Sequence, residues 1–260
     1  MLKFHNQHFL LFSKVIMTTN KNNYFNNSKN VIVSLVFIIP FLVLYELICF
    51  FYFVGENYQI RNSADVIIRD FFNIFGPIAD QFYALTLVAV LFFIFFVNKS
   101  EKNKFPIKYN FLIIMLIEGI LLGFLMLVLL NNSSIFSTPK YLYQDNLLLN
   151  LYLCIGAGIW EEILFRLFIF SILFTLLGSI FKGKAILQIF LSLIVSSILF
   201  SLFHYIGNNA DIFQLNTFII RFIGGFVLGV IYFYRGFGIS VMTHISYDLI
   251  LVSLPLIYNT

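Results

Sequence analysis

Charge is scarce in this chain. Of its 260 residues, 11% are Asp, Glu, Lys or Arg, against about a quarter in a typical soluble domain. Hydrophobic residues make up 60% and aromatic residues 19%, and the mean hydropathy is +0.94. A soluble domain of this length has no interior large enough for that much apolar surface, so the excess must face lipid. Cysteine is scarce as well. Cys49 and Cys154 each sit in an apolar run, which reads as two buried small hydrophobes rather than a disulfide or a metal pair. The apolar runs lack the polar–apolar alternation of a membrane β-barrel. No soluble domain, internal repeat or long linker stands out. The net charge of +4 comes from Lys and Arg in short clusters between apolar runs. Such placement sets membrane topology and is not a nucleic-acid signature.

What the chain does have is long apolar segments: 31–54, 78–97, 111–130, 147–178, 186–206, 217–234 and 238–258. Most match the roughly 20 residues of a spanning helix. The expected fold is therefore an all-α, polytopic transmembrane helix bundle of about seven to eight spans. The fourth segment is too long for a straight span and predicts an extra turn or a break near Gly156 and Gly158. Residues 1–30 read as a polar tail, whose apolar patch Phe9–Met17 is too short for a span and lacks a signal-peptide cleavage site. Residues 31–146 read as N-terminal transmembrane helices, and 147–258 carries the remaining spans. Within 64–75, Asp65, Arg69 and Asn73 recur every fourth position among Val66, Ile67, Phe71, Ile74 and Phe75, which predicts a short amphipathic helix in the interface. Lys and Arg in alternate connecting regions total 11 on one side and 3 on the other. This predicts a cytoplasmic N-terminus and, with seven spans, an external C-terminus.

The informative residues are ionisable groups inside apolar runs: Glu46, Glu118, Glu161, Glu162, Arg166, His204, Arg221, His244 and Asp248. Each costs at least about 2.5 kcal/mol at a helix centre, so each needs a partner, a cavity or a function. The acids outnumber the arginines, an imbalance that calls for a bound cation unless some acids are protonated or interfacial. Glu162 and Arg166 lie four apart, in the favourable order for an ion pair on one helix face. Glu161 then points about 100° away and keeps a free carboxylate. His244 and Asp248 are also four apart, so Asp248 can fix the imidazole tautomer or share a ligand with it. Each of these patterns alone is as compatible with packing as with chemistry. A carboxylate and two histidines on three apolar helices together suit activation of a water for attack on a carbonyl.

Glu-Glu-x-x-x-Arg at 161–166, Phe-x-x-x-His at 200–204 and His-x-x-x-Asp at 244–248, in that order on successive helices, resemble the motifs of the CPBP intramembrane proteases, also called the Abi or CAAX-protease family. The Gly-rich stretch 223–230 and the Arg235-Gly236 turn fit the same pattern, and the resemblance covers 147–258. It implies an intramembrane endopeptidase in which Glu161 and His204 activate water and His244 and Asp248 hold the oxyanion or complete a metal site. Glu162 and Arg166 would support the first motif. The family's third motif often carries Asn where this chain has Asp248. A carboxylate donates a hydrogen bond only when protonated, so orienting His244 or binding a metal suits Asp248 better than oxyanion donation. A divalent cation such as zinc, held by Glu161, His204 and His244, is one open mechanism; a metal-free glutamate mechanism is the other, and no His-Glu-x-x-His helix is present.

The partners implied are the lipid bilayer and a membrane-associated protein or peptide substrate, with no nucleic acid. Prenylated-protein processing, bacteriocin immunity and peptide maturation all fit. The competing class is a transporter or embedded binding protein that spreads Glu46, Glu118, Asp248 and Arg221 along a path. A single protease site carries a geometric demand. His204 ends the fifth span while His244 lies near the start of the parallel seventh, so the fifth must begin outside the core or the seventh must begin deep inside it.

Overall fold

The computed structural model describes residues 23–53, 60–79, 81–87, 89, 107–131, 147–207 and 210–258. Eight helices carry the labels used below: α1 (Tyr24–Ser28), α2 (Val31–Phe53), α3 (Ser63–Phe72), α4 (Tyr109–Asn131), α5 (Leu147–Ile180), α6 (Ala185–Phe203), α7 (Leu215–Arg235) and α8 (Phe237–Tyr258). A 3₁₀ turn, Asn73–Ile78, follows α3. Among the described residues there is no strand. Five helices are long and apolar enough to cross a membrane: α2, α4, α5, α6 and α7, with α8 shorter by the same measure. The protein is an integral, multi-pass membrane protein. The second expected span survives as a helical stretch over 81–87, and most of it lies outside the described residues.

The bundle wears its hydrophobic side chains outward. Phe50, Phe51, Leu121, Leu129, Phe168, Ile172 and Leu176 are all exposed, as helices solvated by lipid require. The interior is built by close approach of small residues, the usual device where no aqueous hydrophobic effect drives helices together. Gly119 and Gly123 turn one face of α4 onto α8. A Cβ on Gly123 would lie 2.9 Å from the Thr243 carbonyl oxygen and 2.9 Å from the Tyr247 nitrogen. On α7, Gly225 and Gly229 face Phe200 and Leu193 of α6 in the same way.

The fourth segment does not break. It runs as one helix from Leu147 to Ile180, about 50 Å at 1.5 Å per residue against a hydrocarbon core of about 30 Å. The irregularity anticipated at Gly156 is a widening instead. Residues 157–161 and 163–170 adopt the π-helical pattern, which concentrates at functional sites, and this stretch contains Glu161, Glu162 and Arg166.

The demand on the seventh span is met by its starting point. Residues 236–246 are all buried, so α8 begins inside the protein. Gly236 makes the turn from α7 at φ 93°, and a Cβ there would meet Lys29 Cα at 2.8 Å. The end of the polar tail is thus a packed element: α1 covers the turn, with Asn27 and Ser28 fully buried. Arg235 anchors it, donating to Glu118 Oε2 at 2.8 Å and to Ser28 Oγ at 3.3 Å, while the Tyr24 hydroxyl also donates to Glu118.

Helix α3 is amphipathic as expected, but its polar face points inward. Asp65 is fully buried, whereas Phe71 is 66% and Ile74 76% exposed. Asp65 accepts from Arg61 at 2.7 Å, Arg69 at 3.0 Å, the Tyr45 hydroxyl at 3.0 Å and the Tyr83 hydroxyl at 3.1 Å. Glu46 on α2 accepts from Arg61 Nη2 at 3.2 Å, from Arg61 Nη1 at 3.3 Å and from Arg69 Nη2 at 3.4 Å. Burial opposes the charge of Arg61, yet the Glu46 and Asp65 carboxylates outweigh it and hold the guanidinium above its ordinary pKa.

Candidate active site

The adjacent acids of α5 have different surroundings. Glu162 is fully buried and saturated. Its Oε2 faces Arg166 Nε at 3.2 Å and accepts from Ser240 Oγ at 2.7 Å, and its Oε1 lies 3.0 Å from His244 Nδ1. Arg166 uses a terminal nitrogen on the Gly225 carbonyl at 3.0 Å, and its guanidinium carbon lies 4.8 Å from the centre of the Phe200 ring. Glu161 is 6% exposed. Its carboxylate is not free as the helical spacing implied: Oε1 accepts from Asn62 Nδ2 at 2.9 Å.

The histidines meet around one aromatic ring. Phe200 has the His204 imidazole 5.2 Å from its centroid and the His244 imidazole 5.9 Å from it. His204 Nδ1 lies 3.0 Å from the Phe200 carbonyl oxygen. A carbonyl only accepts, so Nδ1 bears the proton and neutral His204 presents a lone pair at Nε2. His244 Nδ1 faces the Glu162 carboxylate, so its proton sits there too, a carboxylate–histidine arrangement that fixes the tautomer. Glu161 is near enough to both imidazoles for its charge to act on them.

Asp248 is further away than the spacing suggested. Its Oδ2 lies 3.6 Å from His244 Nε2, beyond a good hydrogen bond. The orienting acceptor of His244 is therefore Glu162, 82 residues away in sequence. Sequence reasoning missed Ser240 and Asn62. Ser240 was within reach, since 240, 244 and 248 recur every fourth residue and share one face of α8. Asn62 carries a readable N-cap signature ahead of α3, but its long-range partner has no local signal.

The other intramembrane charges are paired. The arginines that balance Glu46 and Glu118 come from outside the apolar runs or from their ends: Arg61 and Arg69 for the first, Arg235 for the second. Arg221 pairs with Asp211. The apparent excess of acid thus needs no bound cation at those positions. Cys49 and Cys154 are free and buried. Among the described residues, no three His, Cys, Asp or Glu side chains stand together as a metal-binding group. Glu161, His204 and His244 as arranged do not fit a zinc ligand set.

Residues 143–250 match the family described as type II CAAX prenyl endopeptidase Rce1-like. This stretch is similar to the CAAX proteases. The matched stretch holds Glu161, Glu162, Arg166, His204, His244 and Asp248, and omits Asn62 and the Glu46–Asp65 network. No curated protein and no solved structure matches the chain significantly. The similarity supports a membrane endopeptidase in general terms, and the apolar helices agree with a bilayer setting.

Proposed function

We propose that this protein is a CAAX-type protease that hydrolyses a peptide bond of a membrane-associated protein or peptide with a water activated by Glu161 and His204. The observation that carries the reading is the division of labour between neighbouring acids. Glu162 is consumed by Arg166, Ser240 and His244, whereas Glu161 accepts from Asn62 on Oε1 and lies within electrostatic reach of both imidazoles. The water oxygen bonds to the substrate carbonyl carbon as its proton passes to Glu161 or to the lone pair on His204 Nε2. His244, held by Glu162, faces the oxyanion, and the same proton passes to the departing amine as the C–N bond breaks. No step runs through a metal.

The working core is 147–258, with 31–146 as its supporting membrane helices and the N-terminus cytoplasmic. The family points to a lipid-anchored C-terminal peptide as substrate. The test is cleavage of a farnesylated peptide ending in a CAAX sequence by the purified full chain. Glu161→Gln keeps the side-chain shape and removes the base. Cleavage at the wild-type rate by that variant would overturn the mechanism.

A further inference from the structure

The family match begins at residue 143, yet one of the closest polar contacts to Glu161 comes from residue 62. We propose that Asn62 is a positioning residue for Glu161, so that the N-terminal half completes the active site. The inference rests on the general-base role of Glu161 given above.

Three observations support it. First, the orientation of the Asn62 amide is determined. Its Oδ1 accepts from the Ala64 backbone nitrogen at 2.8 Å as the N-cap of α3. The other end of the amide, the NH₂, therefore faces Glu161 and donates at 2.9 Å. A carboxylate so held has one oxygen occupied and one available for water. Second, Asn62 is itself held. Its backbone N–H donates to the Tyr45 hydroxyl at 3.3 Å, and Tyr45 stacks on Tyr152 of α5 with centroids 4.5 Å apart and planes 6° apart. Arg61 beside it, and Asp65 one turn on, belong to the closed ionic network with Glu46 and Arg69. Third, α5 leaves space for this approach. A Cβ on Gly156 would fall 2.5 Å from the Tyr45 ring and 3.2 Å from Asn62 Cβ. Gly156 immediately precedes the π-helical stretch that carries Glu161. The buried charges of α3 thus have a use beyond stability: they fix the donor that aims the base.

Asn62→Ser separates the two functions of the side chain, because Ser is a good N-cap but too short to reach Glu161 while capping. With the farnesylated CAAX peptide in phosphatidylcholine vesicles, Asn62→Ser should lower kcat at least about tenfold, as expected for a displaced catalytic group. KM should stay within about twofold, and Tm should fall only by the loss of the hydrogen bond to Glu161, because the cap persists. Glu161→Gln is run beside it. An inactive Glu161→Gln with a fully active Asn62→Ser overturns the positioning role and leaves the protease reading intact. An active Glu161→Gln overturns the general-base role of Glu161 on which this inference rests. A second measurement needs no substrate: the Tm shift caused by Asn62→Ser is compared in the wild-type and Glu161→Ala backgrounds. A smaller shift in the second background supports the hydrogen bond, and equal shifts overturn it.

Discussion

Two buried charge clusters lie within this bundle, and they are balanced differently. Around α3, Arg61 and Arg69 face Glu46 and Asp65, and Tyr45 and Tyr83 complete the shell of Asp65. Every carboxylate there has a guanidinium. Along α5 and α8, one guanidinium, Arg166, faces Glu162, while Glu161, Asp248 and two imidazoles are added to the same region. The first cluster is closed and the second has acceptor and donor positions left over. Burying an ion costs several kcal/mol unless it is paired and hydrogen-bonded, so closure is what a structural network requires. Unused valence in a buried site is what a reaction site requires. The Glu161 and Glu162 pair shows the same contrast between adjacent residues.

The contrast is tested most severely at Glu161. Glu161→Gln should reduce cleavage by about 10³-fold, within the range for loss of a general base, with Tm near that of the wild type. A large loss of Tm instead would move Glu161 into the structural class.

Arg166→Ala comes next and should damage both properties. It leaves Glu162 buried without its guanidinium, costing about 3–5 kcal/mol, and frees His244 to reorient because its acceptor is no longer anchored. The expected result is a clear drop in Tm together with at least about tenfold lower activity. Unchanged thermal stability would show that Ser240 and His244 suffice to hold Glu162.

Five of the helix spans, the Glu162–Arg166 pairing and the three-helix placement of Glu161, His204 and His244 were legible in the sequence. They rest on apolar length and on spacings of four, which act within one helix. The rest depends on which helix faces which. Spacing assigned Asp248 to His244, but an acid from another helix reaches Nδ1 first. Counting charges inside the apolar runs suggested a missing cation, because Arg61, Arg69 and Arg235 return from outside those runs or from their ends. The inward polar face of α3 was hidden for a related reason. In lipid an amphipathic helix can bury its charges on the protein and show its apolar side to the acyl chains, a reversal that periodicity alone does not reveal.

Arg69→Ala sharpens the comparison from the structural side. Asp65 keeps Arg61 at 2.7 Å and both tyrosines, so the network is weakened and not opened. A stability loss of about 1–3 kcal/mol is expected for a removed charged hydrogen-bond partner. Activity at a permissive temperature should stay within about threefold, because Arg61 still anchors the helix bearing Asn62. Abolished activity at unchanged Tm would place this network among the reacting groups and erase the distinction.

The smallest effect is expected at Asp248, the position where the family's third motif often carries Asn. At 3.6 Å from His244 Nε2 it is not the main acceptor, because Glu162 already holds Nδ1 at 3.0 Å. Asn preserves an oxygen at the same reach and adds a permanent N–H donor. Asp248→Asn should therefore cleave within about fivefold of the wild-type rate, and a gain would point to donation toward the oxyanion. A metal ligand behaves differently, since replacing a carboxylate with an amide weakens the site and excess metal restores it. Cleavage by both proteins should be insensitive to a zinc chelator and to added zinc. An inactive Asp248→Asn revived by zinc would show that His244 and Asp248 close on a metal in the working enzyme. The leftover valence of the second cluster would then be a coordination site and not a place for water and two histidines.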